Sequence, residues 1–146
     1  MEQPESQKRL LFLQSFIGKE IEGSPSPYMN WLKPVVISAE PGALVFSYII
    51  RKEMTNPQGT LHGGVTAGII DDLIGATVYS LGLSHSFTTI NNAIDYFAPA
   101  REGDLITAQT LIVKRGRSII NLQCEVWLPK KERLIAKGYS NMMNIG

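Results

Sequence analysis

The spacing of apolar residues changes three times along the chain. Leu10, Leu11, Leu13 and Phe16 recur at helical intervals within residues 7–17, which predicts a short amphipathic helix. It stops near Gly18, ahead of the Ser-Pro-Ser-Pro turn region at residues 24–27. Residues 34–39 (PVVISA) and 43–50 (ALVFSYII) are rich in β-branched and aromatic side chains and flank Glu40-Pro41-Gly42, the signature of a hairpin. From Gly64 to Leu81 the period becomes helical: Val65, Ile69, Ile70, Leu73, Ile74, Thr77 and Leu81 define a helix of about five turns. Strand patterns then return at Phe87–Phe97, Leu105–Lys114, Ser118–Leu128 and Leu134–Asn144, with short links that suit an antiparallel meander.

This order predicts an α+β fold, an antiparallel sheet wrapped around one long central helix. One domain spanning residues 1–146 is expected, with residues 1–28 as an N-terminal helix and loop packed on it. The central helix is apolar over most of its circumference, and one sheet face is too narrow to enclose it. Self-association along a strand edge would complete the enclosure.

Composition narrows the classes. With 146 residues, 44% apolar and 18% charged, the chain can bury one proper core. A formal charge of +1 provides no broad field for nucleic acid or anionic lipid, so an anionic ligand must be caught locally. The single cysteine, Cys124, alternates with Ile120, Leu122 and Val126 and reads as a small buried hydrophobe. No cleavable leader pattern and no run of about 20 apolar residues is present, so a cytoplasmic protein without membrane association is expected. Neither histidine has a second ligand at a metal spacing, and there is no Gly-x-Ser-x-Gly or Walker sequence.

The polar residues worth attention gather around the central helix. Asn56-Pro57-Gln58-Gly59-Thr60-Leu61-His62-Gly63-Gly64 opens it, placing the Gly63 and Gly64 amides where a helix has unpaired donors and a positive dipole end. Such a terminus can polarise a carbonyl or hold an oxyanion. At about 100° per residue, Gly64, Gly68, Asp71, Gly75 and Gly82 share one face, so Asp71 is expected in a groove of glycines. The alternative is a solvated aspartate on a face whose glycines merely permit packing. Asp72 projects elsewhere and reads as a rim or capping charge. His62 is a base by type, yet beside a helix N-terminus it reads equally as a neutral hydrogen-bonding group. His85, in a Ser-His-Ser loop, is expected at the surface.

The segments NPQGTLHGGVTAGIIDD, FTTINNAIDYFAPAREGD, VKRGRS and LIAKG resemble the phenylacetate-degradation subgroup of hotdog-fold thioesterases, over residues 54–143. Six positions separate Asn56 from His62 and nine separate His62 from Asp71, as in that family's motif. The resemblance implies hydrolysis of a coenzyme A thioester, with Asp71 as general base or nucleophile and Asn56 holding the attacking water or the carboxylate. Gly63 would donate its amide to the thioester oxygen, assisted by His62, and the Thr89 hydroxyl would orient the water. Some relatives carry a hydroxyl one turn after the carboxylate, where this chain has Gly75. The family builds its site across a dimer, which implies that Asp71 faces Asn56 and His62 of another copy in a homodimer or homotetramer. No cofactor is implied, because the acyl-CoA is the substrate. Gly64 and the basic turn Lys114, Arg115, Gly116, Arg117 and Ser118 would bind it, the turn through charge-assisted hydrogen bonds to coenzyme A phosphates.

Two other functions fit the same residues. A dehydratase on acyl-CoA or an acyl carrier could pair His62 with Asp71 as acid and base, whereas Asn56 and the doubled glycine favour hydrolysis. A non-catalytic acyl-CoA-binding module would be expected to lack Asp71. Acyl identity is open, since Tyr96, Phe97, Trp127, Tyr139, Phe12 and Phe16 could line a pocket or fill the core.

Overall fold

The computed structural model describes residues 4–146. The elements run α1 (Glu5–Gln14), α2 (Pro27–Leu32), β1 (Val35–Glu40), β2 (Ala43–Ile49), α3 (Gly63–Tyr79), β3 (Phe87–Tyr96), β4 (Leu105–Arg115), β5 (Ile119–Leu128) and β6 (Arg133–Asn144). Single 3₁₀ turns lie at Lys52–Met54 and Pro129–Lys131. The hairpin and the four later strands fall within a residue or two of their expected limits.

The N-terminal segment differs most from expectation. Its first helix begins at Glu5 and ends at Gln14, and the Ser-Pro-Ser-Pro region opens a second helix. The Ser26 hydroxyl accepts the Met29 amide at 3.1 Å and Pro27 occupies the first helical position, so residues read as a turn form an N-cap. Lys33, left-handed at φ 54, ends α2 ahead of Pro34. Of the expected 1–28 segment, residues 1–3 lie outside the described range.

All six strands form one antiparallel sheet in the order β1-β2-β4-β5-β6-β3. The expected four-strand meander is therefore corrected. β4, β5 and β6 do form one, but β3 lies beyond β6 at the far edge. The link after β3 crosses the end of the sheet instead of turning back. Its backbone is tied on the way, Leu61 donating to the Ala100 carbonyl at 2.8 Å and Gly103 to Ile50 at 2.8 Å. This crossing ties the loop before α3 to the far end of β3.

The sheet curls around α3, whose Ile69, Ile70, Leu73 and Ile74 are fully buried. Each such side chain contributes about 1.5–3 kcal/mol. Leu44, Phe46, Ile106, Leu122, Cys124 and Val126 come from the inner sheet face. The helix ends at Tyr79, and Gly82, at φ 63, lies in the turn that follows.

The two sheet edges are treated differently. Bridges from Ile17 to Val36 and from Glu20 to Val35 cover β1 with the chain's own N-terminal segment. β3 is ten residues long, largely exposed, and pairs only with β6 among the described residues. An open strand edge of this length is a template for another strand.

Candidate active site

Asp71 lies in the middle of α3, opposite the first half of β3. Its Oδ1 accepts hydrogen bonds from the Thr89 hydroxyl and the Asn92 amide nitrogen, both at 3.0 Å. Two donors on one oxygen fix the carboxylate, and Oδ2 has no partner among the described residues. Thr89 and Asn92 are three apart, which on a regular strand would put them on opposite faces. A bulge between Thr89 and Asn91 shifts the register, so Thr89 stands opposite Met142 and Asn92 opposite Ser140, both buried inward-facing positions. Thr89 was expected at the site as the hydroxyl that orients the water; Asn92 was not expected there, because simple alternation points Asn91 inward instead.

The loop that opens α3 is organised separately. Asn56 Oδ1 accepts from the Gln58 and Thr60 amides, both at 3.1 Å, and its Nδ2 donates to the Thr60 hydroxyl at 2.8 Å. His62 is the N-cap of α3, its Nδ1 accepting the Gly64 amide at 2.8 Å. The Gly64 donor is thus taken within the chain, and of the two amides expected to face a ligand only that of Gly63 has no acceptor among the described residues. Tyr96 fixes this position from the end of β3, its hydroxyl donating to the Gly63 carbonyl at 2.9 Å.

Eight residues of helix separate Gly63 from Asp71, about 12 Å along the axis. Within one chain the structure brings Asp71 and Thr89 together and keeps Asn56, His62, Gly63 and Gly64 apart from them. Lys114, Arg115, Arg117 and Ser118 are exposed in the β4–β5 turn and line neither cavity at the helix.

Asp71 opens onto a cavity of about 350 Å³ bounded by α1, α2, α3 and the start of β3, with Phe12, Met29, Ala76 and Phe87 in its wall. Asp72, read as a rim or capping charge, lines the same cavity and bonds the residue that caps α2. Its Oδ1 accepts the Ser26 hydroxyl at 2.8 Å, so it supports the N-cap of α2, and its Oδ2 is buried without a partner among the described residues. Burial pushes the Asp72 carboxyl above the usual aspartate value; the Ser26 hydroxyl opposes this and the neighbouring Asp71 charge adds to it.

The glycine groove also needs correction. A Cβ at Gly68 would collide with the Tyr28 hydroxyl, at Gly64 it would press on the His62 ring, and at Gly82 it would strike the Ser6 backbone. Those glycines admit the chain's own residues. Only Gly75, where an added Cβ would meet nothing within 4 Å, faces open space beside Asp71. Cys124 is buried and its thiol is pushed up to about 12 by burial, as befits a core residue. His85 is exposed, as expected. Among the described residues, no helix is long and apolar enough to cross a membrane and no cluster of metal-ligating side chains is present.

Comparison with known proteins adds to this geometry. A family model described as the thioesterase superfamily matches residues 58–135, more than half of the chain. Acyl-coenzyme A thioesterase 13 of Homo sapiens is 27% identical over 106 residues, covering 73% of this chain and 76% of its own. The E. coli PaaI protein from the phenylacetic acid degradation operon superposes with a TM-score of 0.81 at 19% identity, over 97% of this chain and 96% of that one. A Streptococcus mutans protein bound to acetyl CoA superposes at 0.72 and 22% identity, over 77% of this chain and 89% of the other. The sheet around a central helix is the hotdog fold of these neighbours.

Proposed function

The chain belongs to the thioesterase superfamily, and from that premise we propose that it hydrolyses acyl-CoA thioesters with Asp71 as general base in a site shared by two copies. The observation that carries this reading is the state of Asp71: one oxygen held by Thr89 and Asn92, the other unpartnered at a cavity.

In this reading Oδ2 of Asp71 takes a proton from water, and the water oxygen attacks the thioester carbonyl carbon. Negative charge on the carbonyl oxygen is met by the free Gly63 amide at the positive end of α3 of the second copy. Collapse breaks the C–S bond, the thiolate takes up the proton from Asp71, and a carboxylic acid and coenzyme A leave. Asn56 and His62 act by shaping the loop that presents Gly63, and the basic turn at residues 114–118 holds the phosphates.

The open edge of β3 supports the sharing. Antiparallel pairing of two β3 strands sets the Tyr96 end of one against the Phe87 end of the other. Tyr96 is bonded to Gly63 and Thr89 to Asp71 within each chain, so this pairing delivers each Gly63 toward the other copy's Asp71. Exposed Leu111, Val113, Tyr139 and Met143 on the strands give the dimer apolar surface for a further pairing into a tetramer. A single domain in a cytoplasmic setting belongs to the same reading.

The test is thiol release from a panel of aryl, short-chain and long-chain acyl-CoAs by the purified chain, with its mass measured by light scattering. Turnover of at least one member by a dimer or larger assembly is expected. A stable monomer with full activity defeats the shared site, and inertness across the panel defeats the hydrolase.

A further inference from the structure

Behind the Asp71 cavity lies a second one of about 300 Å³, lined by Val78, Leu83, Phe87 and Met142 and, at its outer end, by Arg9, His85 and Ser86. Gly75, Tyr79, Phe87 and Met142 belong to both walls. The two spaces therefore meet at Gly75, one helical turn beyond Asp71, where an added side chain would point into empty space. Of the α3 glycines, this one has no described residue filling the room it leaves.

The chemistry changes along this path. Apolar side chains, among them Phe12, Leu13, Ala76 and Phe87, dominate the wall of the first cavity. At the far end the Arg9 guanidinium lies 4.5 Å over the Tyr79 ring, its Nη1 donating to the Tyr79 carbonyl at 3.2 Å and its Nε to Glu5 at 2.9 Å. Nη2 keeps its protons free among the described residues, and the exposed His85 ring lines the same cavity and can donate a hydrogen bond into it.

Resting on the thioesterase reading, we infer that the two cavities are one acyl channel joined over Gly75, selecting long acyl groups that end in a hydrogen-bond acceptor such as a carboxylate. From Asp71 to Val78 the helix rises about 10 Å, so an acetyl group fills only the entrance. A long chain buries its methylenes in the apolar stretch and delivers its terminal oxygens to Arg9 and His85, where a charge-assisted bond forms.

Gly75→Val blocks the junction without opposing the helix, since valine is no worse than glycine in a helix interior. The ratio of kcat/KM for dodecanoyl-CoA over acetyl-CoA should fall at least tenfold, within the range of about 10–200-fold that pocket fit supplies. Arg9→Met should lower the preference for ω-carboxydodecanoyl-CoA over dodecanoyl-CoA by several-fold. An equal loss on acetyl- and dodecanoyl-CoA would mean that the space holds the coenzyme arm, and unchanged ratios in both variants would mean that it holds nothing; either result overturns the channel. Binding of a non-hydrolysable dodecyl-CoA thioether, measured by calorimetry, reads the channel without turnover. Tight binding that Gly75→Val abolishes would sustain the channel even if hydrolysis failed, and binding no tighter than that of ethyl-CoA would end it.

Discussion

The loop that opens α3 and the middle of the same helix both carry polar residues, yet they are finished to different degrees. In the loop, Asn56, Thr60, His62 and Gly64 satisfy one another, and among the described residues the one backbone donor left over is the Gly63 amide. At mid-helix, Thr89 and Asn92 satisfy half of a carboxylate and leave the other half open to a cavity. One region ends with a spare donor and the other with a spare acceptor, about 12 Å apart in one chain. A donor for an oxyanion and a base for water are complementary parts, and under the proposed function their separation within one chain calls for a second copy to use both.

The sharpest way to break this pairing is Asp71→Asn. The shape and the acceptor toward Thr89 and Asn92 survive while the basic oxygen is lost, so kcat should fall by roughly 10²–10⁴-fold. Assembly should be unchanged, and the melting temperature should not fall below the wild-type value. Residual activity that tracks a reduced folded fraction would instead make Asp71 structural.

Gly63→Pro tests the other half. Proline is welcome at the first helical position, and His62 at φ −64 and ψ 133 already has the backbone that precedes it. A Cβ at Gly63 meets the Tyr96 ring at an ordinary 3.6 Å. The substitution therefore removes the amide proton with little else, and kcat should fall by roughly 10²–10³-fold, as for loss of one oxyanion donor. Mixing this variant with Asp71→Asn and letting subunits exchange should restore about a quarter of wild-type activity, because half the dimers are mixed and each has one intact site. No recovery on mixing would place donor and base in the same chain.

The same two regions show what the sequence could and could not disclose. The loop was legible because its chemistry is local: residues 56–64 bond one another over short separations, and a helix N-terminus exposes donors wherever it occurs. The resemblance singled out Asp71 and Thr89, which the structure joins by a hydrogen bond. Asn92 was not legible, because its inward orientation depends on a bulge that strand alternation conceals. The roles of Tyr96, Tyr28 and Ser26 were hidden for a different reason, as each acts across more than 30 residues of chain. The place of β3 at the sheet edge likewise depends on the link over residues 97–104, whose sequence does not say whether it turns back or crosses the sheet. Local hydrogen bonds announce themselves in a sequence; register and topology emerge only when the sheet closes on the helix.

A smaller effect is expected at the basic turn. Arg115→Ala or Arg117→Ala removes one exposed cation, and phosphate contacts are equally strong in the ground and transition states, so KM should rise a few-fold with kcat nearly unchanged. Added salt should mimic the change by screening. A KM unmoved in both variants would confine substrate recognition to the helix and its cavities.

The smallest effect concerns Asp72, which adjoins Asp71 in sequence yet belongs with the residues that finish the fold. Burial raises its folded pKa above the ordinary aspartate value of about 3.9. Between those two values the folded chain holds more protons than the unfolded one, so its stability falls as pH rises through that window, and the loss is complete above it. Asp72→Asn keeps an acceptor for the Ser26 hydroxyl and does not titrate, so its melting temperature should gain on wild type as pH rises from 4 and then level off. Asp71→Asn removes the like charge beside it and should shrink that gain. Thermal melts of the wild type and the two variants across pH 4–8 measure both differences. A variant that instead loses stability at neutral pH would show that the ionised Asp72 holds α2 in place through Ser26, and the contrast between the two aspartates would then be one of partner and not of charge.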